Sequence, residues 1–339
     1  MEIIATMRRD KDRFDDFSHF ANKIRELQEL GVKIFRFNLS KFSKADLPIF
    51  INDIKYLKKE YPTSVVILDL PYPGNKCRMI IKDRKTIHLE KNDIVTFNVS
   101  EQIVLDKDTV YFSHSLIDLD FSKIARYICG DGNAILQYKE FKYPNLYLAA
   151  CDKCDIEHGK AINFVGSIKT EHDINKYLPV IKEITPDYLA LSFIENKDQI
   201  LCIKNNMKGL ENIKIISKIE THLGFQNLPE IAAISDSIML SRGDLGLQVE
   251  LEDFFIIQEK IIDYCKKNNC EIIVATDIMN SMMDRKVPAR ADLIDMQYLI
   301  KKGIDAMVLT YGLVRTDNML DVVHMINDSF RKLKDVSRT

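Results

Sequence analysis

The stretch IKIISKIE at residues 213–220 runs apolar and then ends in Lys218 and Glu220. Side chains alternate along a strand, so residues 218 and 220 share a face. A cation and a carboxylate at one strand end make either a surface ion pair of little worth or part of a site where a metal meets a phosphate. Other strand-like runs end in similar chemistry. Thr6 stands near the end of EIIATM (2–7), Arg36, Asn38 and Ser40 alternate at the end of VKIFRFNLS (32–40), and Asp69 is near the end of SVVILDL (64–70). YLALSF (188–193) ends in Ser192 and Phe193, SIMLSR (237–242) runs into Gly243 and Asp244, EIIVATD (271–277) carries Thr276, and DAMVLT (305–310) ends in Thr310. Glu220 and Asp244 are two carboxylates, and Mg²⁺ typically takes one or two alongside substrate oxygens. Lys218 and Arg36 supply positive charge for a phosphoryl group. Gly243 lets backbone N–H groups come close to an anion, and Thr276 can donate to a substrate carboxylate or carbonyl. Taken singly, Asp69 could equally cap a turn and Arg36 could pair with a neighbouring carboxylate. Their joint placement at successive strand ends favours chemistry over scaffolding.

Elements of a particular kind must carry these ends. The short β-branched runs alternate with helical patterns at 14–30, 45–60, 195–208, 252–268, 291–302 and 316–333, the mark of a parallel α/β protein. Gly31 and Gly303 sit where helices should stop before the next strand. Eight strand–helix units in order predict a TIM (β/α)8 barrel, whose site forms at the C-terminal ends of the strands. From about 79 to 158 the pattern changes to short alternating runs such as TIHLE, DIVTFNV and TVYFS, with turn signals including GDGN at 130–133. The expected organisation is a barrel over 1–78 and 159–339, with a small inserted all-β domain over 79–158 after the third strand.

Composition limits the partners. The 339-residue chain is 46% apolar and 29% charged, and its 48 Lys+Arg against 50 Asp+Glu give a net charge of −2. That balance argues against a general nucleic-acid binder or a polybasic membrane-surface protein, so any anion site must be built locally. No apolar run approaches a membrane span, and the start MEIIATMRRD is too short and charged for a signal peptide. Seven scattered cysteines, an odd number, suggest free thiols in a reducing cytoplasm. Cys151 and Cys154 form one CxxC, which suits a redox pair or half of a zinc site; with no second pair at zinc spacing, a turn between strands is the expectation.

With these residues in view, the chain resembles pyruvate kinase over nearly its whole length. IISKIE, IMLSRGDLG, VATDIMNSMMDRKVPARADLIDM and FRFNLS look like that family's hallmark segments in their order, LDLPYPGNKCR looks like its third-strand segment with two residues inserted, and GKAINFVGS (159–167) resembles its return from the inserted domain. The resemblance implies transfer of a phosphoryl group between phosphoenolpyruvate and ADP. On it, Glu220 and Asp244 would bind Mg²⁺ or Mn²⁺, Lys218 and Arg36 would meet the phosphoryl group, and Gly243, Asp244, Thr276 and Ser192 would contact the substrate, with Thr276 lining the face where the enolate is protonated. Thr6, Arg78, Lys160 and Arg315 would meet the nucleotide, Lys160 being delivered by a β domain that acts as a lid. Asn38, Ser40 and Asp69 match residues that hold K⁺. Leu70 stands where that site has a threonine, and Lys76 falls where K⁺-independent members carry a lysine, so K⁺ is expected not to be required.

The chain also departs from the family. The segments at 7–10, 41–42 and 311–313 differ from the forms TIGPAS, NFSHG and SGET, with Lys41 at the histidine position and TYGL at 310–313. The sequence stops after the eighth helical pattern, so the expectation is no C-terminal regulatory domain and no ordinary tetramer, with a homodimer through barrel faces still open. Three readings follow: a minimal cytoplasmic pyruvate kinase, a paralogue acting on a different small carboxylate or acceptor in a specialised pathway, and a non-catalytic binding relative. The intact centre favours phosphoryl transfer, and fold resemblance alone does not fix the substrate.

Overall fold

The computed structural model describes residues 1–9, 17–41, 46–71, 76–83, 85–100, 109–113, 116, 119–130, 132–166 and 174–336. Two compact units share the chain: Met1–Pro71, Asp173–Leu245 and Leu251–Thr339 form the first, and Tyr72–His172 with Gly246–Glu250 form the second.

The first unit is a closed barrel of eight strands: β1 (Glu2–Thr6), β2 (Ile34–Asn38), β3 (Val65–Leu70), β4 (Tyr188–Leu191), β5 (Lys214–Ile219), β6 (Ser237–Ser241), β7 (Glu271–Ala275) and β8 (Ala306–Leu309). Each strand pairs in parallel with the next, and β8 closes on β1 with Ala306 opposite Glu2. Strands buried on both faces read as continuous apolar runs, which is why VVILDL and EIIVA each carry one polar residue. Ile4, Ile67, Ala190, Ile216, Met239, Ile273 and Ala306, with Ile34 packed against them, form an inner cluster to which every strand contributes. Helices cover the outside. Phe17–Glu29 buries Phe20, Ile24 and Leu27, the 3.6-residue stripe that faces a core. Asn196 and Gln199 close Lys197–Asn206 with a reciprocal capping box. Gly31 and Gly303, at φ +84° and +73°, end the helices before β2 and β8.

The second unit is a closed barrel of seven strands, in the spatial order Asn145–Ala150, Ile94–Asn98, Thr109–Phe112, Lys76–Ile81, Ala161–Val165, Arg126–Cys129 and Ala134–Lys142. Its pairs are antiparallel except Ile94–Asn98 with Thr109–Phe112. Phe97, Phe112, Tyr127 and Phe164 fill the centre, and the buried Tyr127 hydroxyl donates to the Phe121 carbonyl at 2.8 Å. The unit is wider than 79–158 because Lys76–Ile81 and Ala161–Val165 pair with each other, Ala161 opposite Arg78, and so close this barrel. Cys151 and Cys154 flank a turn into the two-stranded ribbon of Cys154–Glu157 with Thr86–Leu89. Burial holds both thiols above their ordinary pKa, the opposite of an activated cysteine. Among the described residues, no three or more His, Cys, Asp or Glu gather as a metal site.

Candidate active site

Polar residues begin two positions beyond the inner apolar layer. Ile4 leads to Thr6, Ile34 to Arg36, Ile67 to Asp69, Ala190 to Ser192, and Ile216 to Lys218 and then Glu220. The alternation of the strands carries all of them onto one face at the C-terminal rim. Asp69 and Glu220 are 1% exposed and Lys218 is 6% exposed, so this is no surface ion pair.

Lys218 Nζ donates to Ser192 Oγ at 3.0 Å, stands 2.9 Å from Glu220 Oε1 and lies 3.5 Å from Asp69 Oδ1. Ser192 Oγ donates onward to the Leu70 carbonyl at 3.0 Å, so its lone pairs face the ammonium. Arg36 Nε and Nη2 reach Asp69 Oδ2 at 2.8 and 2.6 Å, and Nη1 donates to Thr6 Oγ1 at 3.0 Å. Asp69 thus holds a cation on each oxygen. Burial opposes its ionisation, but Arg36 and Lys218 outweigh burial and keep the carboxyl below its ordinary range. Burial likewise opposes a charged Lys218, and Asp69 and Glu220 more than offset it. Glu220 goes the other way: burial raises it, and Asp244 adds to the rise against the pull of Lys218.

The Phe193 N–H donates to Glu220 Oε2 at 2.8 Å. Phe193 has φ +53°, a conformation that costs a non-glycine residue about 1–3 kcal/mol, and the bond to Glu220 helps hold it. Glu220 Oε1 is buried, and its near partner is the Lys218 ammonium at 2.9 Å. Arg36 and Lys218 bring two positive charges against the three carboxylates of Asp69, Glu220 and Asp244, whose fields reach one another. With all three ionised, the centre would be net negative and would repel a phosphate. A hard divalent cation on Glu220 and Asp244 would reverse that sign and give buried Glu220 Oε1 a second partner beside Lys218, so the residues fit such an ion, with substrate oxygens and water to complete its shell.

Beyond β7 a second arrangement fixes Thr276. The strand stops at Ala275, and Thr276 and Asp277 take φ +75° and +58°. Arg242 Nε and Nη2 donate to the Thr276 carbonyl at 2.9 and 2.8 Å, and its Nη1 holds both oxygens of Asp295 at 2.8 and 2.9 Å. Gly243 lies against the same threonine: a Cβ there would sit 2.8 Å from Thr276 Cγ2, so any larger residue displaces Thr276. Arg242 and Asp295 were not among the expected site residues. Their signal was an arginine heading the RGDLG segment and an acid inside a helical stretch, with nothing in the spacing to join them.

The other expected residues lie elsewhere. Asn38 Oδ1 accepts from the Ser40 N–H at 2.9 Å and so shapes its own turn. Lys76, Arg78 and Lys160 belong to the second unit, where Arg78 Nη1 donates to the Gly159 carbonyl at 2.8 Å and Lys160 is exposed. Arg315 is exposed just after the short helix Tyr311–Val314 that follows β8. Asp10, Phe42 and the Lys41 side chain lie outside the described residues.

The sequence model of the pyruvate kinase barrel domain matches residues 1–313. The chain is 30% identical to pyruvate kinase of Thermotoga maritima over 292 residues, 85% of this chain and 62% of that one. It is 29% identical to pyruvate kinase of Clostridium perfringens over 294 residues, again 85% and 62%. With plastidial pyruvate kinase 3 of Arabidopsis thaliana it shares 27% over 291 residues, 84% of this chain and 50% of the relative. The chain therefore spans between half and two thirds of the length of these relatives.

Proposed function

The chain belongs to the pyruvate kinase family, and on that premise we propose that it is a metal-dependent phosphotransferase that moves a phosphoryl group between phosphoenolpyruvate and ADP. The observation that carries the reading is Lys218, buried and charged between Asp69 and Glu220 with Ser192 fixing its Nζ. Arg36 and Lys218 bind the phosphoryl oxygens, and Lys218 stays on them as the bond to the enol oxygen breaks and the bond to ADP forms. Charge stabilisation of this kind, rather than covalent help, is what phosphoryl transfer asks of a protein. Thr276, locked by Arg242 and Gly243, lines the face on which the enolate carbon takes its proton. Mg²⁺ or Mn²⁺ on Glu220 and Asp244 would supply Lewis acidity towards the enol and phosphoryl oxygens. In this reading the second unit brings Arg78 and Lys160 to the nucleotide as a lid and excludes water, Thr6 and Arg315 meet the nucleotide from the barrel, and the compartment is the cytoplasm.

K⁺ is not required in this reading. Asp69, a carboxylate that would bind it, already carries Arg36 on one oxygen and Lys218 on the other, and Lys76 supplies a further fixed charge. The test is pyruvate formation from phosphoenolpyruvate and ADP with Mg²⁺ and no K⁺. Turnover is expected; activity only with K⁺ sinks the cation claim, and no turnover by folded, metal-bound protein sinks the substrate claim. The departures after β1 and β8 favour one second reading, a family member acting on a different small carboxylate.

We also propose a homodimer. Leu251, Phe255 and Ile294 are 75%, 57% and 68% exposed on Leu251–Lys267 and Arg290–Lys301, helices joined by the Phe255–Tyr298 ring contact at 5.9 Å and by Lys302 on Glu259 at 3.0 Å. An exposed apolar patch on two fixed helices suits a self-complementary two-fold contact. Light scattering should give twice the mass of one chain, falling to one chain in Ile294→Glu; a monomeric native chain refutes it.

A further inference from the structure

The helix Leu251–Lys267 ends in a turn that leads straight into β7. There the Asn269 N–H donates to the Lys266 carbonyl at 3.4 Å and the Cys270 N–H to the Cys265 carbonyl at 2.9 Å, with Asn269 at φ +53°. This pair of bonds is the Schellman motif, which folds the residue after the left-handed position back onto the last turn of the helix. The motif commonly sets two apolar side chains against each other at these two places. Here both are cysteines, and both are free. Cys265 is 0% exposed and belongs to the buried stripe of the helix with Ile257, Ile261 and Ile262. Cys270 is half-buried. Each thiol is governed first by the other. Cys265 holds Cys270 below its ordinary range against burial and Glu271, while Cys270 and then burial push Cys265 up.

A half-buried thiol that keeps more thiolate, set beside a second thiol, is the arrangement that peroxides oxidise selectively. The other cysteines lack it: burial holds Cys151 and Cys154 up, and the exposed Cys202 stands alone on its helix Lys197–Asn206. We propose that Cys270 and Cys265 are a dithiol that a hydroperoxide oxidises to a disulfide. The Cys270 thiolate attacks a peroxide oxygen, the O–O bond breaks, and Cys270 becomes a sulfenic acid as hydroxide leaves. The Cys265 sulfur then attacks the Cys270 sulfur, the S–O bond breaks, and the Cys265 proton departs with the hydroxyl as water. The proton first lost by Cys270 turns the hydroxide into the second water, and two electrons have passed from the thiols to the peroxide. A dithiol reductant reopens the bond by exchange. The disulfide would tie the helix to the residue that enters β7, at the N-terminal end of the barrel and away from the Lys218–Glu220 centre, so the proposal does not depend on which reaction that centre performs.

The experiment treats the reduced, folded full chain with an equimolar amount of hydrogen peroxide, blocks the remaining thiols with iodoacetamide and maps tryptic peptides by mass spectrometry. Cleavage after Lys266 and Lys267 separates the two cysteines, so the disulfide appears as two joined peptides that a reductant parts. They should form about tenfold or more faster than Cys202 is oxidised. Cys265→Ser, with native circular dichroism, should stop at the sulfenic acid, trapped by dimedone on Cys270, and Cys270→Ser should leave Cys265 reduced. The proposal is overturned if the joined peptides do not form, if they form only in urea, if Cys202 is oxidised as fast, or if folded Cys265→Ser carries no dimedone on Cys270. Should Cys265→Ser not fold, the native chain's joined peptides and their rate against Cys202 decide alone. Because no turnover is measured, failure here is distinct from failure of the phosphotransfer reading.

Discussion

Lys218→Met is expected to lose phosphoryl transfer by about 10³-fold or more in kcat, the scale seen when a preorganised charge is removed from a developing anion. Methionine keeps the length of the side chain and removes only the ammonium. The substitution also leaves two buried carboxylates behind. Breaking a buried pair costs up to about 3–5 kcal/mol, but this site limits the damage. Asp69 keeps Arg36 at 2.6 Å. Glu220 keeps the Phe193 N–H, and burial already disposes its carboxyl to hold a proton. The variant should therefore fold, with a lowered melting temperature and little change in the KM for phosphoenolpyruvate compared with the loss in kcat, because Arg36 still binds the phosphate. Steady-state kinetics beside a thermal melt separate the two effects. Full turnover in a folded variant would mean that Lys218 does not neutralise the phosphoryl group.

Much of this centre could be read from strand alternation alone. A residue that enters the inner layer, such as Ile216 or Ile67, fixes that its second neighbour emerges at the rim on the same face, so alternation alone brings Lys218 and Asp69 to the rim. The eight strands were legible for a related reason: sheets covered on both faces need continuous apolar runs, and VVILDL or EIIVA leave little else to be. Remote pairing was not legible. Nothing in KCRMII says that it pairs with both Thr109–Phe112 and Ala161–Val165, which is why the small barrel begins and ends outside the limits that pattern suggested. The left-handed backbone at Phe193 and Thr276 was equally hidden. Glycine usually marks such turns, and here long-range bonds from Glu220 and Arg242 hold non-glycine residues in them. Local signals report local preferences, and these two residues are held against theirs.

The same tension decides what Glu220→Gln should do. Glu220 is a buried carboxyl whose pKa is raised first by desolvation and then by Asp244. A carboxyl raised in the folded state takes stability away once the pH rises past its ordinary value, because ionisation then costs more folded than unfolded. The isosteric amide removes that cost. Its oxygen can still accept from the Phe193 N–H, and Lys218 retains Ser192 and Asp69. Its NH₂, however, then takes the place of Oε1 beside the Lys218 ammonium, donor against donor, which offsets part of the gain. In metal-free buffer at neutral pH the variant should melt within a few degrees of the native chain, while its activity falls by about 10²-fold or more. A site whose charge is kept at a stability cost is a site kept for function. The decisive readout is the response to metal. At about 100 times its dissociation constant a divalent cation stabilises a protein by about 2.7 kcal/mol, so Mn²⁺ should raise the native melting temperature by a few degrees. The Glu220→Gln variant loses one anionic ligand and keeps only Asp244, so in it that rise should largely vanish. An equal rise in both proteins would remove Glu220 from the metal site and leave it only the partner of Lys218 and Phe193.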